Sequence, residues 1–499
     1  DLASDAHEAE YYQGYLPDSF AVNTDLLKSA LIAGTNVLSV ETHNVTENSS
    51  DLSSIPFLIF GVKDSLEIYP ATPNWFHAPT LSVFNADFKL SRSGETIYLF
   101  DPEGQIIDEQ SYPQLESDHC YARSTDGSMN WCYSNICSPL ASNQSNNCYS
   151  GYAPVPIFSL AGGFYSPGLA MSLSCSQPGA IIRFSTNGDD PDSSDQVYSQ
   201  SFVFNSTTTV RARVFMNGKL PGRTISHTYF IEEESKLPVF SISMDSLDLW
   251  DENSGIYTLG PNADPVWPYF GANYWQDWDK PAAVEYYDKS KQHIISFNAE
   301  IEIYGNYSRS EEQKSFEIKL SDKFGTSELN YPLLPDKPFL TKFENIVLRN
   351  SGTDWNVVHF RDALMERLMK NTSTGYLAAE PVRLFLNGQD WGVYTVHEKH
   401  NQKWIESNTD LKEGEYDYLT EIGEEIDAAS GSDHDFWTMY NFITSNSPDE
   451  STYYTTVNSM LDLKNYTDYF IAETYVNNGD WIGEWTNNIK LWKPKAPGS

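Results

Sequence analysis

Positive charge is what this 499-residue chain lacks most: 32 lysines and arginines stand against 69 aspartates and glutamates, a formal net charge of −37. A field of that sign repels phosphate backbones, which excludes nucleic-acid binding by the surface as a whole. Long apolar runs are missing too, and nothing approaches the roughly 20 residues a membrane span needs. Without an initiating methionine or a charged-then-apolar leader, any secretory signal is expected to have been removed already. Disorder is excluded by a hydrophobic content of 40%, enough to build cores. At roughly 100–200 residues per domain, the length implies three or four units.

Cysteine is sparse and unevenly placed. Of five, Cys120, Cys132, Cys137 and Cys148 fall close together and Cys175 stands apart. Spacings of 12, 5 and 11 residues contain no second C-x₂₋₄-C unit beside Cys132–Cys137 and no histidine between the four, so two local disulfides are favoured over a zinc site. Disulfides point to an oxidising, extracellular compartment. Seven N-x-S/T sequons, at Asn44, Asn48, Asn143, Asn205, Asn306, Asn371 and Asn465, agree with secretion, although an Asn-, Ser- and Thr-rich chain also produces them by chance.

To about residue 150 the chain reads as short strands between turn residues, with one helical stretch at 24–33. Gly34-Thr35-Asn36 leads into a strand at 37–42, and a strand at 95–100 runs into the turn Asp101-Pro102-Glu103-Gly104. A second all-β unit starts after Tyr152, its strands alternating polar and apolar residues. Asp189, Asp190 and Asp192 in its STNGDDP turn are either a Ca²⁺ site or a solvated turn. An acidic hinge is expected at 232–236. Beyond it strands mix with helices, giving an α+β domain. A helix over 356–370 would carry Val357, Phe360, Leu364 and Leu368 on one face, with Arg361 and Arg367 on the wet side. Asn387-Gly388 predicts a hairpin between strands at 382–386 and 391–397, and a further helix is expected at 463–475.

Phosphoryl transfer needs cations for the phosphates, oxygens for Mg²⁺ and a base or orienting group for the nucleophile. Arg309 and Lys314 follow the small-residue loop Tyr304-Gly305-Asn306 and could receive a polyphosphate, or could simply face solvent. Glu366 could fix a phosphate-binding lysine, or make a surface pair along its helix. Asp480, followed by Asn487 and Asn488 in NGDWIGEWTNNIK, could set a base beside a metal-bound amide oxygen, or occupy an ordinary turn.

Larger resemblances attach to named stretches. NADFKLSRSGETIYLFDPEGQIIDEQSY with CYARSTDG and Trp131 resembles the lamin-tail type of immunoglobulin-like sandwich (71–150), and residues 1–70 look like the end of a neighbouring β-sandwich. PVPIFSLAGGFYSPG, STNGDDP and TVRARVF resemble the fibronectin-like module of chitobiases and hexosaminidases (151–235), either a glycan contact or a rigid spacer. From residue 236 to 499, GNYSRSEEQKSFEIKLSDKFG, FENIVLRNSGTDW, HFRDALMERL, VRLFLNGQDWGVYTVHEKHNQKWI and DYFIAETYVNNGDWIGEWTNNIKLW resemble the CotH kinase family. That resemblance implies an atypical protein-kinase fold using ATP and Mg²⁺ on proteins outside the cytoplasm. It implies Lys314 and Arg309 at the phosphates, Glu398 near the nucleotide cleft, Asp480 as catalytic aspartate, and Asn488 or Asn487 on the metal.

Two departures stand out. Tyr304-Gly305-Asn306 replaces a His-Gly-Gly-like start to the phosphate-side loop. Relatives also continue into an Asp-x-Asp-like metal motif, whereas this sequence stops at Ser499, so either a longer protein or an incomplete site is expected. The aromatic run holding Trp267, Tyr269, Tyr274, Trp275 and Trp278 either offers rings to a sugar or protein, or builds core. The expected architecture is therefore multidomain: N-terminal all-β sandwiches, immunoglobulin- or fibronectin-like, followed by an α+β atypical protein-kinase-like domain. The expected function is a secreted cell-surface kinase acting on extracellular or envelope proteins. The alternative is a non-catalytic adhesion or glycan-binding protein using the kinase-like fold as scaffold.

Overall fold

The computed structural model describes residues 90–139, 141–143, 148–420, 426–479, 481–482 and 488–495. The helix expected at 24–33, the strand at 37–42 and the partial sandwich at 1–70 lie outside them. Residues 90–499 form one compact unit.

It begins with two antiparallel hairpins. Glu95–Phe100 pairs with Ile106–Tyr112 across the expected turn, where Gly104 takes a positive φ of 83°. Cys120–Arg123 pairs with Trp131–Ser134. Disulfides Cys120–Cys137 and Cys132–Cys148 staple this second hairpin to the chain that follows it, while Cys175 is free.

Next comes a five-stranded sheet in the order Gln196–Val197, Ile181–Ser185, Thr208–Phe215, Ile225–Ile231, Gly163–Tyr165, with only the last pairing parallel. Met171, Val210, Ala212, Val214 and Tyr229 fill its core at 0–1% exposure. Alternation is why: in the Thr208–Phe215 strand Val210, Ala212 and Val214 share one face, as a period of two requires.

A closed seven-stranded barrel follows. Its strands are β1 (Val239–Met244), β2 (Lys280–Tyr287), β3 (His293–Tyr304), β4 (Ser315–Lys319), β5 (Asn345–Arg349), β6 (Ala379–Leu386) and β7 (Gln389–His397). The order round the barrel is β1-β2-β3-β4-β5-β7-β6, and β6 returns parallel to β1. Phe316 and Ile318 of β4, Ile346 and Leu348 of β5, and Tyr394 and Val396 of β7 point inward. Their neighbours Glu317, Arg349, Thr395 and His397 alternate to the outer face. The β6–β7 hairpin turns at Asn387-Gly388 with φ of 49° and 78°, the left-handed pair that a two-residue I′ turn demands.

The helices are α1 (Ser246–Trp250), α2 (Arg361–Met369), α3 (Gln402–Asn408), α4 (His434–Ser445), α5 (Tyr453–Met460) and α6 (Leu463–Tyr475). A small sheet orders β9 (Asp427–Ser430), β8 (Tyr416–Thr420) and β10 (Leu491–Pro494). Helix α6 has the expected bounds, capped by Asp462, whose carboxylate accepts from the N–H groups of Lys464 and Asn465. Helix α2 is shorter than the expected 356–370. The Asp354 carboxylate accepts from the N–H groups of Val358, Phe360 and Arg361, folding 355–360 into a loop in which His359 has φ of 64°. Its expected apolar face is uncovered: Val357, Phe360, Leu364 and Leu368 are 63, 54, 44 and 55% exposed. Among the described residues no helix is long and apolar enough to cross a membrane.

The sheet unit sits directly against the barrel. Phe230, Val239, Tyr287 and Phe385 cluster with Phe164, and the Glu285 carboxylate of β2, 2% exposed, accepts from Thr228 N–H at 2.8 Å and Tyr287 O–H at 3.0 Å. The expected acidic hinge is pinned on both sides. Glu233 pairs with Arg383 at 3.1 Å and Glu234 with Lys291 at 3.0 Å.

Candidate functional site

Charged groups gather where β7 ends and on the outer face of β4, one strand away across β5. Alternation puts Glu317 outside the barrel, yet it is only 1% exposed because Lys399 and Asn345 cover it. Lys399 Nζ donates to both carboxylate oxygens at 2.9 and 2.8 Å, and Asn345 Nδ2 to one at 2.8 Å. Such a pair holds because the remaining lone pairs are also satisfied.

One residue earlier, Glu398 faces the other way. Its carboxylate accepts from Lys337 Nζ and Asn408 Nδ2 at 2.7 Å and from Ala378 N–H at 2.8 Å. Lys337 also donates to Tyr376 O and Asn408 Oδ1, each at 2.7 Å. Glu366 lies near this knot and accepts from Leu377 N–H at 2.6 Å. Burial pushes its carboxyl up to about 7. The expected lysine partner of a helix carboxylate is thus Lys337, but Glu398 rather than Glu366 makes the ion pair.

The third component is a local positive field. Lys490, just before β10, donates to His400 O at 2.7 Å. Burial, and then the charge of Lys399, lowers its ammonium below the usual lysine range. The His400 ring is pushed down to about 4 by burial and next by Lys490. His397 is likewise pushed down to about 4, by burial and then by Arg349. Lys399 and Lys490 therefore repel one another. An incoming dianion would relieve that repulsion.

The basic pair expected from the sequence is turned inward. Lys314, 4% exposed, donates to Arg309 O at 2.7 Å and Glu311 O at 2.8 Å, and lies 3.9 Å from the Tyr274 ring centre. Burial pushes its ammonium down to about 8. Arg309 donates to Gly305 O at 2.6 Å and pairs with Asp277 at 3.0 Å. The cause is local. Gly305, at φ of 112°, starts a tight turn over Tyr307–Ser310, and its unpaired carbonyls draw both cations. Arg309 and Lys314 meet each other but join neither Glu398 nor Glu366.

Asp480 and Asn487 lie outside the described residues. Asn488 is exposed, with φ of 58°, two residues before Lys490. For Mg²⁺ and Ca²⁺, no group of three or more His, Cys, Asp or Glu that could hold a metal ion occurs among the described residues. The Ca²⁺ expectation is corrected in detail. Asp190 is taken by Arg211 and Arg213 at 3.0 and 3.1 Å, Asp189 accepts from Ser246 N–H at 3.0 Å, and Asp192 accepts from Ser194 N–H at 2.6 Å. Of the aromatic run, Tyr274 is buried, Tyr269, Trp275 and Trp278 pack against the barrel core, and Trp267 is 49% exposed.

Sequence reasoning missed Lys337, Lys399 and Lys490. The signal was present in HEKH and NNIKLW, where a lysine breaks an otherwise cation-poor stretch. Only folding shows that β7 and β10 bring two of these lysines together.

Among curated proteins none matches the chain. Residues 160–226 match the family described as chitobiase/beta-hexosaminidase C-terminal domain, within the five-stranded unit. Residues 301–498 match the family described as CotH kinase protein, a stretch that begins inside β3 and takes in β4, β7, Lys399 and Lys490. The chain is thus similar to the CotH kinase family over residues 301–498 and to the chitobiase/hexosaminidase C-terminal domain over residues 160–226.

Proposed function

We propose that the domain built on the barrel is an ATP-dependent phosphotransferase that accepts the nucleotide phosphates at Lys399 and Lys490 and phosphorylates a protein hydroxyl outside the cytoplasm. The observation that carries this reading is the gathering of Lys399, held by Glu317, and Lys490, held on the carbonyl of the adjacent His400, in a chain of net charge −37, inside the CotH kinase match. Glu317 would fix Lys399, as a buried carboxylate positions the phosphate-binding lysine of a kinase. The Lys337–Glu398–Asn408 knot would hold the end of β7 rigid. In this reading Asp480 takes the proton of the attacking hydroxyl as the terminal phosphoryl leaves ADP for that oxygen. Two disulfides support an oxidising compartment, and residues 71–150 would form a lamin-tail-like unit of a surface protein.

Lys490→Ala is the discriminating variant, because removing one of two repelling charges should not weaken the fold. Its stabilisation by Mg-ATP in a thermal melt should vanish, and Asp480→Asn should retain that stabilisation while losing transfer of labelled phosphate. Undiminished ATP stabilisation in Lys490→Ala would rule the reading out.

A further inference from the structure

The outer face of β6 and β7 does not close against α2. Between them runs a groove of about 930 Å³, whose walls include Trp355, Phe360, Pro381, Trp391 and Val393. That lies within the range of about 300–1,000 Å³ typical of small organic ligands. Aromatic rings dominate one wall: Trp391 lies 5.7 Å from Tyr257 and 5.8 Å from Trp250. The indole N–H groups are tied back, Trp391 to Tyr257 Oη at 3.2 Å and Trp355 to the Glu311 carboxylate at 2.6 Å. The rings are therefore fixed in position before any ligand arrives, which lowers the entropic cost of binding.

Two features narrow the occupant. The edge of β7 is closed to an added strand, because Gln313 Nε2 donates to Val393 O at 3.1 Å and a His359 ring nitrogen lies 2.7 Å from the same oxygen. Backbone pairing with an extended peptide is thereby excluded. The acidic groups lining the groove are Glu312 and Asp390, and no lysine or arginine lines it, so an anionic ligand is repelled. Asp390 is held in place by Arg383 at 3.0 and 2.8 Å, while Glu312 is exposed. Rigid ring faces beside one anchored and one exposed carboxylate acceptor suit a neutral polyol, whose C–H faces stack and whose hydroxyls donate.

We propose that this groove binds a neutral oligosaccharide, stacked on Trp391 and Phe360 with hydroxyls donating to Glu312 and Asp390. The site is at the opposite end of β7 from Lys399, so it stands whether or not the nucleotide reading does.

The intact chain would be titrated with chitotetraose, cellotetraose and maltotetraose, read by tryptophan emission and calorimetry. At least one sugar should saturate, and Phe360→Ala and Glu312→Gln, both at exposed positions, should each weaken it by about tenfold or more with an unchanged melting midpoint. Trp267→Ala, at an exposed ring elsewhere, should leave the affinity as it is. The proposal fails if none of the three sugars saturates below about 10 mM, or if binding is indifferent to both groove variants. It fails equally if a cationic amphipathic Leu/Lys peptide binds in a Phe360-dependent way while the sugars do not.

Discussion

Two regions of the barrel hold a pair of cations each, and they treat them oppositely. In the loop after β3, Arg309 and Lys314 are absorbed by backbone carbonyls, Asp277 and the Tyr274 ring. At the end of β7, Lys399 has one carboxylate and Lys490 one carbonyl, and the two charges oppose each other. Counting basic residues cannot separate these cases. What separates them is whether a tight turn beside the cation leaves carbonyls in need of donors.

The largest expected effect tests the burial of the two histidines at the β7 end. His397 and His400 titrate near 4 in the folded chain against 6.5 in the unfolded one. Their folded values are depressed, so the unfolded state binds more protons in that window, and stability falls as pH drops from 6.5 toward 4. The loss should be about 2–3 kcal/mol for each ring, on the order of 5 kcal/mol for the two together, measured by denaturant unfolding at both pH values. A flat profile would show that the two rings are not buried as neutral imidazoles. NMR titration of Lys490→Ala sharpens the point, since the His400 value should then rise toward the ordinary one.

Lys314→Ala comes next. Stripping two carbonyls of their donor should cost about 2–3 kcal/mol of stability, while the midpoint shift produced by Mg-ATP should match that of the native chain. Loss of the shift with the fold preserved would erase the contrast between the two regions.

Glu366 supplies a smaller effect of opposite sign. Its folded value of about 7 exceeds the unfolded 4.5, so its contribution is present below 4.5 and is lost as pH rises through 7. Glu366→Gln should flatten that slope between pH 4.5 and 7. An unaltered slope would place the proton elsewhere in the Lys337–Glu398 knot. The smallest expected change is none at all: Ca²⁺ or EDTA should leave the melting midpoint unmoved, because Arg211 and Arg213 already neutralise Asp190. A rise of several degrees with Ca²⁺ would reopen the turn as a metal site.

Local chemistry was what the sequence displayed best. Asn387-Gly388 fixes its hairpin through its own dihedrals, so that turn was legible. The start of α2 was not, because Asp354 captures N–H groups four to seven residues ahead and propensity alone does not register that loop. In the site, Glu366 was the carboxylate expected to fix a lysine, whereas the lysine that is held, Lys337, pairs with Glu398 from 61 residues away. Long-range pairing of that kind leaves no periodic trace.

The β6–β7 turn reaches further than its own hairpin. A Cβ at Gly188 would come within 2.2 Å of the Asn387 amide, and one at Gly388 within 3.1 Å of Thr209 N. Socket and plug of this sort make the two neighbouring units poor candidates for independent exchange. A cut at residue 235 would bare Phe230 on one fragment and Tyr287 and Phe385 on the other, so the first purified piece worth assaying starts upstream of the five-stranded sheet, and modular shuffling in this lineage would have to move both units together.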